Sequence, residues 1–163
     1  MKVTQARIIA RLAHQGQKYG DRDYFSTHVE DVVRRCESSK HCTVTHVIVA
    51  YLHDVLEDTD LSMDDLIQLG LERYAMQALL ALTKRDDEDY ASYTTRVLEN
   101  RIATFVKYHD LLSNMDACRE VLKGYESPMD RDRAKHLIVR RYSPAMDRIY
   151  DASPYWLHES HRK

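Results

Sequence analysis

The sequence predicts an all-α protein, a single helical bundle, and three observations carry that expectation. Only four Gly and three Pro occur in 163 residues, which leaves little turn chemistry for a many-stranded sheet. Apolar residues recur close to helical spacing through most of the chain. The run Val47-Ile48-Val49-Ala50-Tyr51-Leu52 is apolar on every face, the mark of a helix through the middle of a domain rather than over its surface. Hydrophobic residues make up 44% and charged residues 31%, proportions that suit one ordinary core, and the length fits a single domain. That domain is expected over residues 1–152, with a polar tail over 153–163.

Composition also excludes some classes. A net charge of −2 is close to neutral, so no broad nucleic-acid or membrane footprint is expected. Cys36, Cys42 and Cys118 are an odd number without metal-finger spacing, which points to free thiols in a reducing compartment. No apolar run reaches the roughly 18 residues of a spanning helix, and the N-terminus lacks a signal-peptide core. The expected location is cytoplasmic.

Taken in order, Thr4 is the expected cap of a helix over 6–17, whose apolar stripe is Ile8, Ile9 and Leu12 and whose stop is Gly16. Residues 18–26 read as a polar loop that delivers Thr27 as a cap and His28 in the first turn of the next helix, through Val32 and Val33. A loop over 38–43 follows, and Thr43 or Thr45 caps a central helix expected to run to about residue 57. Ser62, with Asp65 three residues on, reads as a capping box opening a short helix that ends at Gly70. Another helix is expected over 72–83. A long helical pattern spans 90–115, with Val97, Ile102, Phe105, Val106 and Leu111 near helical spacing. Residues 124–128 break the chain before a helix over 129–142. Ser143-Pro144 bends or restarts that helix, and a shorter piece continues to about residue 150.

Within the central helix, His53-Asp54 places an imidazole and a carboxylate where hydrocarbon would be expected. Burying them is costly unless something pairs with them, and a bound cation is one solution. Glu57 and Asp58 follow one turn later. His28, His53, Asp54 and Asp110 form a mixed nitrogen and oxygen donor set suited to one divalent first-row ion such as Mn²⁺, Fe²⁺, Co²⁺ or Zn²⁺. The four come from three helices, which a bundle can bring to one interior point. Such an ion acidifies water and polarises a phosphorus centre, and Glu57 and Asp58 are then expected to move protons and orient the attacking water. His109 stands beside Asp110 and forms a second His-Asp doublet.

Three blocks carry a family resemblance. The first is Ala13-His14-Gln15-Gly16-Gln17 with Tyr24 and Thr27-His28. The second is Ala50-Tyr51-Leu52-His53-Asp54-Val55-Leu56-Glu57-Asp58-Thr59. The third is Val106-Lys107-Tyr108-His109-Asp110-Leu111-Leu112-Ser113-Asn114, with Leu82-Thr83-Lys84 lying between the second and third. Together these resemble the HD-domain phosphohydrolases, and within them the hydrolase domain of the RelA/SpoT alarmone enzymes and their small stand-alone relatives. The resemblance spans roughly residues 6 to 120. It implies a single HD-domain bundle with metal ligation by His28, His53, Asp54 and Asp110, with Asp110 and not His109 in the ligand position. It implies water activation by Glu57 and Asp58, and a substrate contact by Asn114. It further implies Mn²⁺ as the ion and removal of the 3′-pyrophosphate from guanosine tetra- or pentaphosphate.

Two features depart from the family pattern. The basic residue that stacks on guanine in these hydrolases falls in Lys18-Tyr19-Gly20-Asp21-Arg22, leaving Lys18, Tyr19 or Arg22 to face the base. Tyr108-His109-Asp110 stands where the family has Leu-Ala-Asp, which alters the packing beside the metal. Basic residues elsewhere are candidates for a phosphate-binding wall. His136 and Arg140 share a helical face, with Arg141 rotated by about 100° from Arg140, and Lys107 is three residues before a ligand. The expected partner is a small phosphorylated nucleotide, with a guanosine alarmone first. Another small phosphate ester is the alternative substrate, and a silent HD-type binding module is the alternative of a different class.

Overall fold

Helix α3 (Val44–Leu52) is buried without interruption from Val47 to Leu52, as its apolar run requires. It packs against α1 (Val3–Ala13), α2 (Glu30–Glu37), α6 (Arg73–Leu82) and α8 (Arg101–Lys123), and so forms the axis of an all-α bundle. The structure, a computed structural model, describes residues 1–124, 127–152 and 154–158. Among the described residues the one sheet is a two-stranded hairpin, β1 (Lys18–Tyr19) against β2 (Arg22–Asp23), with Lys18 opposite Asp23 and Tyr19 opposite Arg22. Gly20, at φ +62°, opens its two-residue turn, a conformation that glycine adopts without steric cost. This hairpin replaces the loop expected over 18–26.

Several helix boundaries differ from expectation for identifiable reasons. Helix α1 begins at Val3, and the Gln5 side chain accepts from the Lys2 backbone N–H at 2.8 Å; Thr4 lies inside the helix and is not its cap. Its buried residues are Ala6 and Ala10, while Ile8 and Leu12 are exposed, because small side chains let α1 approach the crowded face of α3. The segment carrying His28 starts before Thr27. Asp23 Oδ1 accepts from the Ser26 N–H at 2.9 Å, and a wide π turn (Phe25–Val29) runs straight into α2.

The central helix also stops earlier than its apolar pattern suggests. Thr43 caps α3, but the helix ends at Leu52; His53 and Asp54 form a turn before a single further turn, α4 (Val55–Asp58). The short helix α5 (Met63–Gln68) has the expected reciprocal cap, with the Asp65 N–H donating to Ser62 Oγ at 3.2 Å and the Ser62 N–H to Asp65 Oδ2 at 2.9 Å. Gly70, at φ +87°, ends it.

The long pattern over 90–115 is two helices, α7 (Tyr90–Leu98) and α8. Asn100 interrupts it, because its Oδ1 accepts from the N–H groups of Ile102 and Ala103, both at 3.0 Å, and so caps a new helix. Arg96 ties this region to the end of α6. It donates to the carbonyls of Leu80 (2.8 Å), Ala81 (3.1 Å) and Thr83 (3.0 Å) and pairs with Glu88 at 2.6 Å.

Beyond α8, helix α9 (Pro128–Leu137) is capped by Ser127, and a second π turn (Ile138–Tyr142) leads into α10 (Ser143–Asp151). Residues 125–126 in the expected break lie outside the described residues, as do 153 and 159–163 in the expected tail. The described part of that tail includes α11 (Tyr155–His158), where Trp156 and Leu157 are buried and the Trp156 ring lies 5.2 Å from both Phe105 and Tyr108 of α8.

His109 belongs to this aromatic packing. It is buried, its ring lies 4.8 Å from Phe105, and neither ring nitrogen has a hydrogen-bond partner. Burial, with the charges of Arg35 and His46, lowers its pKa from 6.5 to about 4. Above pH 6.5 the imidazole is neutral in both folded and unfolded chains. Between 6.5 and about 4 the unfolded chain takes up a proton that the folded chain refuses, so stability falls as pH falls across that window. The full loss is roughly 3 kcal/mol. His109→Leu is expected to remove this part of the acid sensitivity and to be more stable than wild type at pH 5, as read by urea denaturation at pH 7 and pH 5.

Candidate metal and phosphate site

Three elements bring the four predicted ligands together. The π turn supplies His28, the turn after α3 supplies His53 and Asp54, and α8 supplies Asp110. His28 Nε2 and His53 Nε2 face each other at 3.3 Å. Asp54 Oδ2 lies 2.9 Å from His53 Nε2 and 3.6 Å from His28 Nε2. Asp110 Oδ1 approaches the same two nitrogens from 3.8 Å and 3.3 Å. One ligand atom each from His28, His53 and Asp54 falls within 4.8 Å of the others, and Asp110 joins through the imidazoles.

The far sides of the rings explain how they are aimed. His53 Nδ1 lies 2.9 Å from the Ala50 carbonyl, which can only accept, so Nδ1 carries a hydrogen and Nε2 is the nitrogen that points into the cluster. Two buried imidazole nitrogens in contact with one buried and one half-buried carboxylate form a donor set that fits a divalent cation. Burial lowers the His28 pKa, but hydrogen bonds to Asp110 and Asp54 outweigh it and push it up to about 9. Burial likewise opposes ionisation of Asp54 and Asp110. The attraction of His53 and His28, with Lys107 beside Asp110, nevertheless holds both well below the usual carboxylate range.

Each carboxylate is also held from behind. Tyr24 donates its phenolic hydrogen to Asp54 Oδ2. Burial and the Asp54 charge raise the Tyr24 pKa, so the phenol remains a donor. Asp110 Oδ2 pairs with Lys107 Nζ at 2.7 Å, and Asp110 Oδ1 accepts from Asn114 Nδ2 at 2.5 Å. The other end of the Asn114 amide accepts from the Tyr19 hydroxyl at 2.9 Å, and the Tyr19 ring stacks on His28 with centroids 5.1 Å apart. The first sequence block braces Asp58 as well. Gln17 Nε2 donates to the Asp58 carbonyl at 2.5 Å while Gln17 Oε1 meets His14 Nδ1 at 2.8 Å.

A cavity of about 180 Å³ opens beside the cluster. Its walls include Glu57 and Asp58 on one side and Lys84, Lys107 and Arg141 among the others. Burial and the neighbouring Asp54 charge raise the pKa of both Glu57 and Asp58, which moves them toward the range where a carboxylate can exchange protons. Arg141 is placed over the Tyr90 ring, 4.6 Å from its centroid, and Tyr93 and Tyr142 add aromatic wall.

The structure brings together His28, His53, Asp54, Asp110, Glu57, Asp58, Lys107 and Asn114, with Tyr19 against them. Arg140 is not part of this wall; it is exposed, and Arg141 takes the place. The π turn at Ile138–Tyr142 adds a residue to the helical register, and the side facing the cavity moves on by one. Lys18 is exposed and points away from the hairpin face that carries Tyr19, whereas Arg22 is exposed but shares that face. His109 stays in the aromatic packing, apart from the ligands. Tyr93 and Tyr142 lack any local motif that marks them as site residues, whereas Arg141 is one of the basic residues the sequence offers for a phosphate-binding wall. Tyr24 and Lys84 lie within the blocks that carry the family resemblance, which is the signal for them.

No family model matches the sequence, and no curated protein sequence matches it. Among solved structures the chain is similar to one described as a metazoan ortholog of SpoT that hydrolyses ppGpp and plays a role in starvation responses. The two share 20% identity, the match covers 91% of this chain and 93% of that one, and the TM-score is 0.63. At that identity the likeness is one of fold. The chain shares the all-α fold of that structure.

Proposed function

We propose that the protein is a metal-dependent phosphohydrolase acting on a phosphorylated nucleotide, with guanosine 3′,5′-bis(diphosphate) as the substrate and its 3′-pyrophosphate as the group removed. The observation that carries this reading is the buried pair of facing imidazoles, 3.3 Å apart at Nε2, flanked by Asp54 and Asp110 and opening onto a cavity with basic walls. His28, His53, Asp54 and Asp110 hold one divalent ion, with Mn²⁺ suited to the mixed donors. When bound, such an ion supplies Lewis-acid polarisation of a phosphate oxygen and makes water a stronger nucleophile.

The remaining roles fall to the chain's own side chains. Tyr24 fixes the orientation of Asp54, and Asn114 and Lys107 fix that of Asp110. Glu57 and Asp58, with raised pKa values and open to the cavity, accept a proton from the attacking water and return it to the leaving oxygen. Lys84 and Arg141 neutralise phosphate charge; a guanidinium matches two phosphate oxygens at once. Tyr19 and Arg22, on one face of the hairpin, are the groups positioned for the base.

The likeness in fold to a structure described as a ppGpp hydrolase supports the same substrate class. The test is product analysis. With Mn²⁺ and guanosine tetraphosphate, the expected products are inorganic pyrophosphate and guanosine diphosphate in equal amounts. Orthophosphate from nucleoside monophosphates, with no action on the tetraphosphate, would assign the site to a different phosphate ester. No release from either would favour a binding module.

A further inference from the structure

His28 has a second nitrogen, and the structure shows what it meets. Nδ1 lies 3.3 Å from Ser113 Oγ, and both side chains are buried, His28 at 2% and Ser113 at 6% exposure. Ser113 is one turn beyond Asp110 on α8, so one helix face carries a ligand and a group that touches another ligand from behind. The Asp31 carboxyl lies beside the Ser113 hydroxyl: burial pushes its pKa up, and Arg35 together with Ser113 outweighs that and lowers it. Asp31 Oδ2 accepts from Arg35 Nε at 2.6 Å, and Arg35 Nη2 reaches Asp116 on α8 at 3.0 Å. A line of contacts therefore runs from the cluster outward through His28, Ser113, Asp31 and Arg35, and returns to α8 at Asp116.

Donor and acceptor bookkeeping gives this line a direction. An ionised carboxylate only accepts, so the single hydroxyl hydrogen of Ser113 goes to Asp31. The Ser113 oxygen is then left to accept, and His28 Nδ1 must be the donor. That leaves Nε2 aimed at His53, Asp54 and Asp110, where a bound cation would take the place of its proton. His53 reaches the same arrangement through a backbone carbonyl, but His28 does so through a side chain that one substitution removes.

We propose that Ser113, backed by the Asp31 carboxylate that Arg35 anchors, is a positioning residue that fixes the His28 ring and tautomer and thereby sets the affinity of the site for its divalent ion. The inference rests on the metal-site reading above. A carboxylate behind a ligating imidazole, here relayed through a hydroxyl, makes the ring a better donor, and loss of such a partner costs roughly 10- to 100-fold in metal affinity.

The experiment titrates the purified full chain with Mn²⁺ alone by calorimetry, in wild type, Ser113→Ala, Ser113→Thr, Asp31→Asn and Asp110→Ala. Thermal melting of the metal-free proteins identifies any variant that fails to fold. The Zn²⁺-loaded proteins give the spectroscopic signature, the Nδ1–H proton signal of His28 by NMR. The expected result is a Ser113→Ala affinity at least 10-fold weaker, with the His28 Nδ1–H signal lost to rapid exchange. Ser113→Thr restores both, and Asp31→Asn is intermediate. Wild-type affinity and an unchanged Nδ1–H signal in Ser113→Ala, with binding abolished in Asp110→Ala, would overturn the positioning role and leave the metal site standing. No Mn²⁺ or Zn²⁺ binding by wild type would overturn the site and the positioning role together.

Discussion

Asp110→Ala is expected to lose bound metal and nearly all turnover, a fall on the order of 10³-fold or more, because an ion worth several kcal/mol to the transition state is lost with it. The same change is expected to destabilise the fold by roughly 3 kcal/mol. Asp110 Oδ2 pairs with Lys107, whose ammonium is largely buried, and removing one partner leaves the other uncompensated. Adding Lys107→Met in that background separates the two effects: stability returns while metal content and turnover do not. Metal analysis of the purified proteins, with urea denaturation of each, checks this. Full metal occupancy in Asp110→Ala would contradict the ligand set. His109 is not placed to substitute, because its ring lies with Phe105 and Tyr108 away from the cluster.

Glu57→Gln and Asp58→Asn are expected to lower kcat by roughly 10²-fold or more each, while Mn²⁺ affinity changes much less. Both substitutions keep size and hydrogen-bonding capacity and remove basicity. Both side chains face the cavity. Their raised pKa values, caused by burial and by Asp54, are a feature of groups that exchange protons rather than of groups that pair with a cation. Calorimetric titration with Mn²⁺ and steady-state assay of the same preparations separate the two roles. Wild-type turnover in both variants would mean that another group activates the water.

Much of the fold is legible in the sequence because caps and stops are local chemistry. Thr43, the Ser62–Asp65 pair and Gly70 act where their residue types place them. Asn100 carried the same kind of signal, yet the apolar spacing on either side of it reads as one continuous helix. The helical period does not announce an interruption whose cost a single amide oxygen offsets. Hydrophobic periodicity misleads at α1, where exposed Ile8 and Leu12 outrank buried Ala6 and Ala10 on any hydrophobicity scale while close packing prefers the small residues. The two π turns have no sequence period of their own, and the second is why Arg141 rather than Arg140 reaches the cavity.

The site divides along the same line. His53 and Asp54 stand out because an imidazole and a carboxylate within an apolar run call for a partner, while the family resemblance is what singles out His28 and separates Asp110 from His109. Tyr93 and Tyr142 look like ordinary surface or core residues, and Arg141 is not told apart from Arg140, until α7 and the wide turn before α10 are folded against α8. The Ser113 contact to His28 spans the bundle and has no local signature at all.

The most direct test of the central claim is nucleotide hydrolysis by protein stripped of metal with a chelator, then assayed with and without added Mn²⁺, alongside Asp54→Ala treated identically. Release of pyrophosphate or orthophosphate only after Mn²⁺ is restored, and none from Asp54→Ala, is the result expected from the geometry of the cluster. Undiminished release by the stripped protein, or by Asp54→Ala, would contradict it.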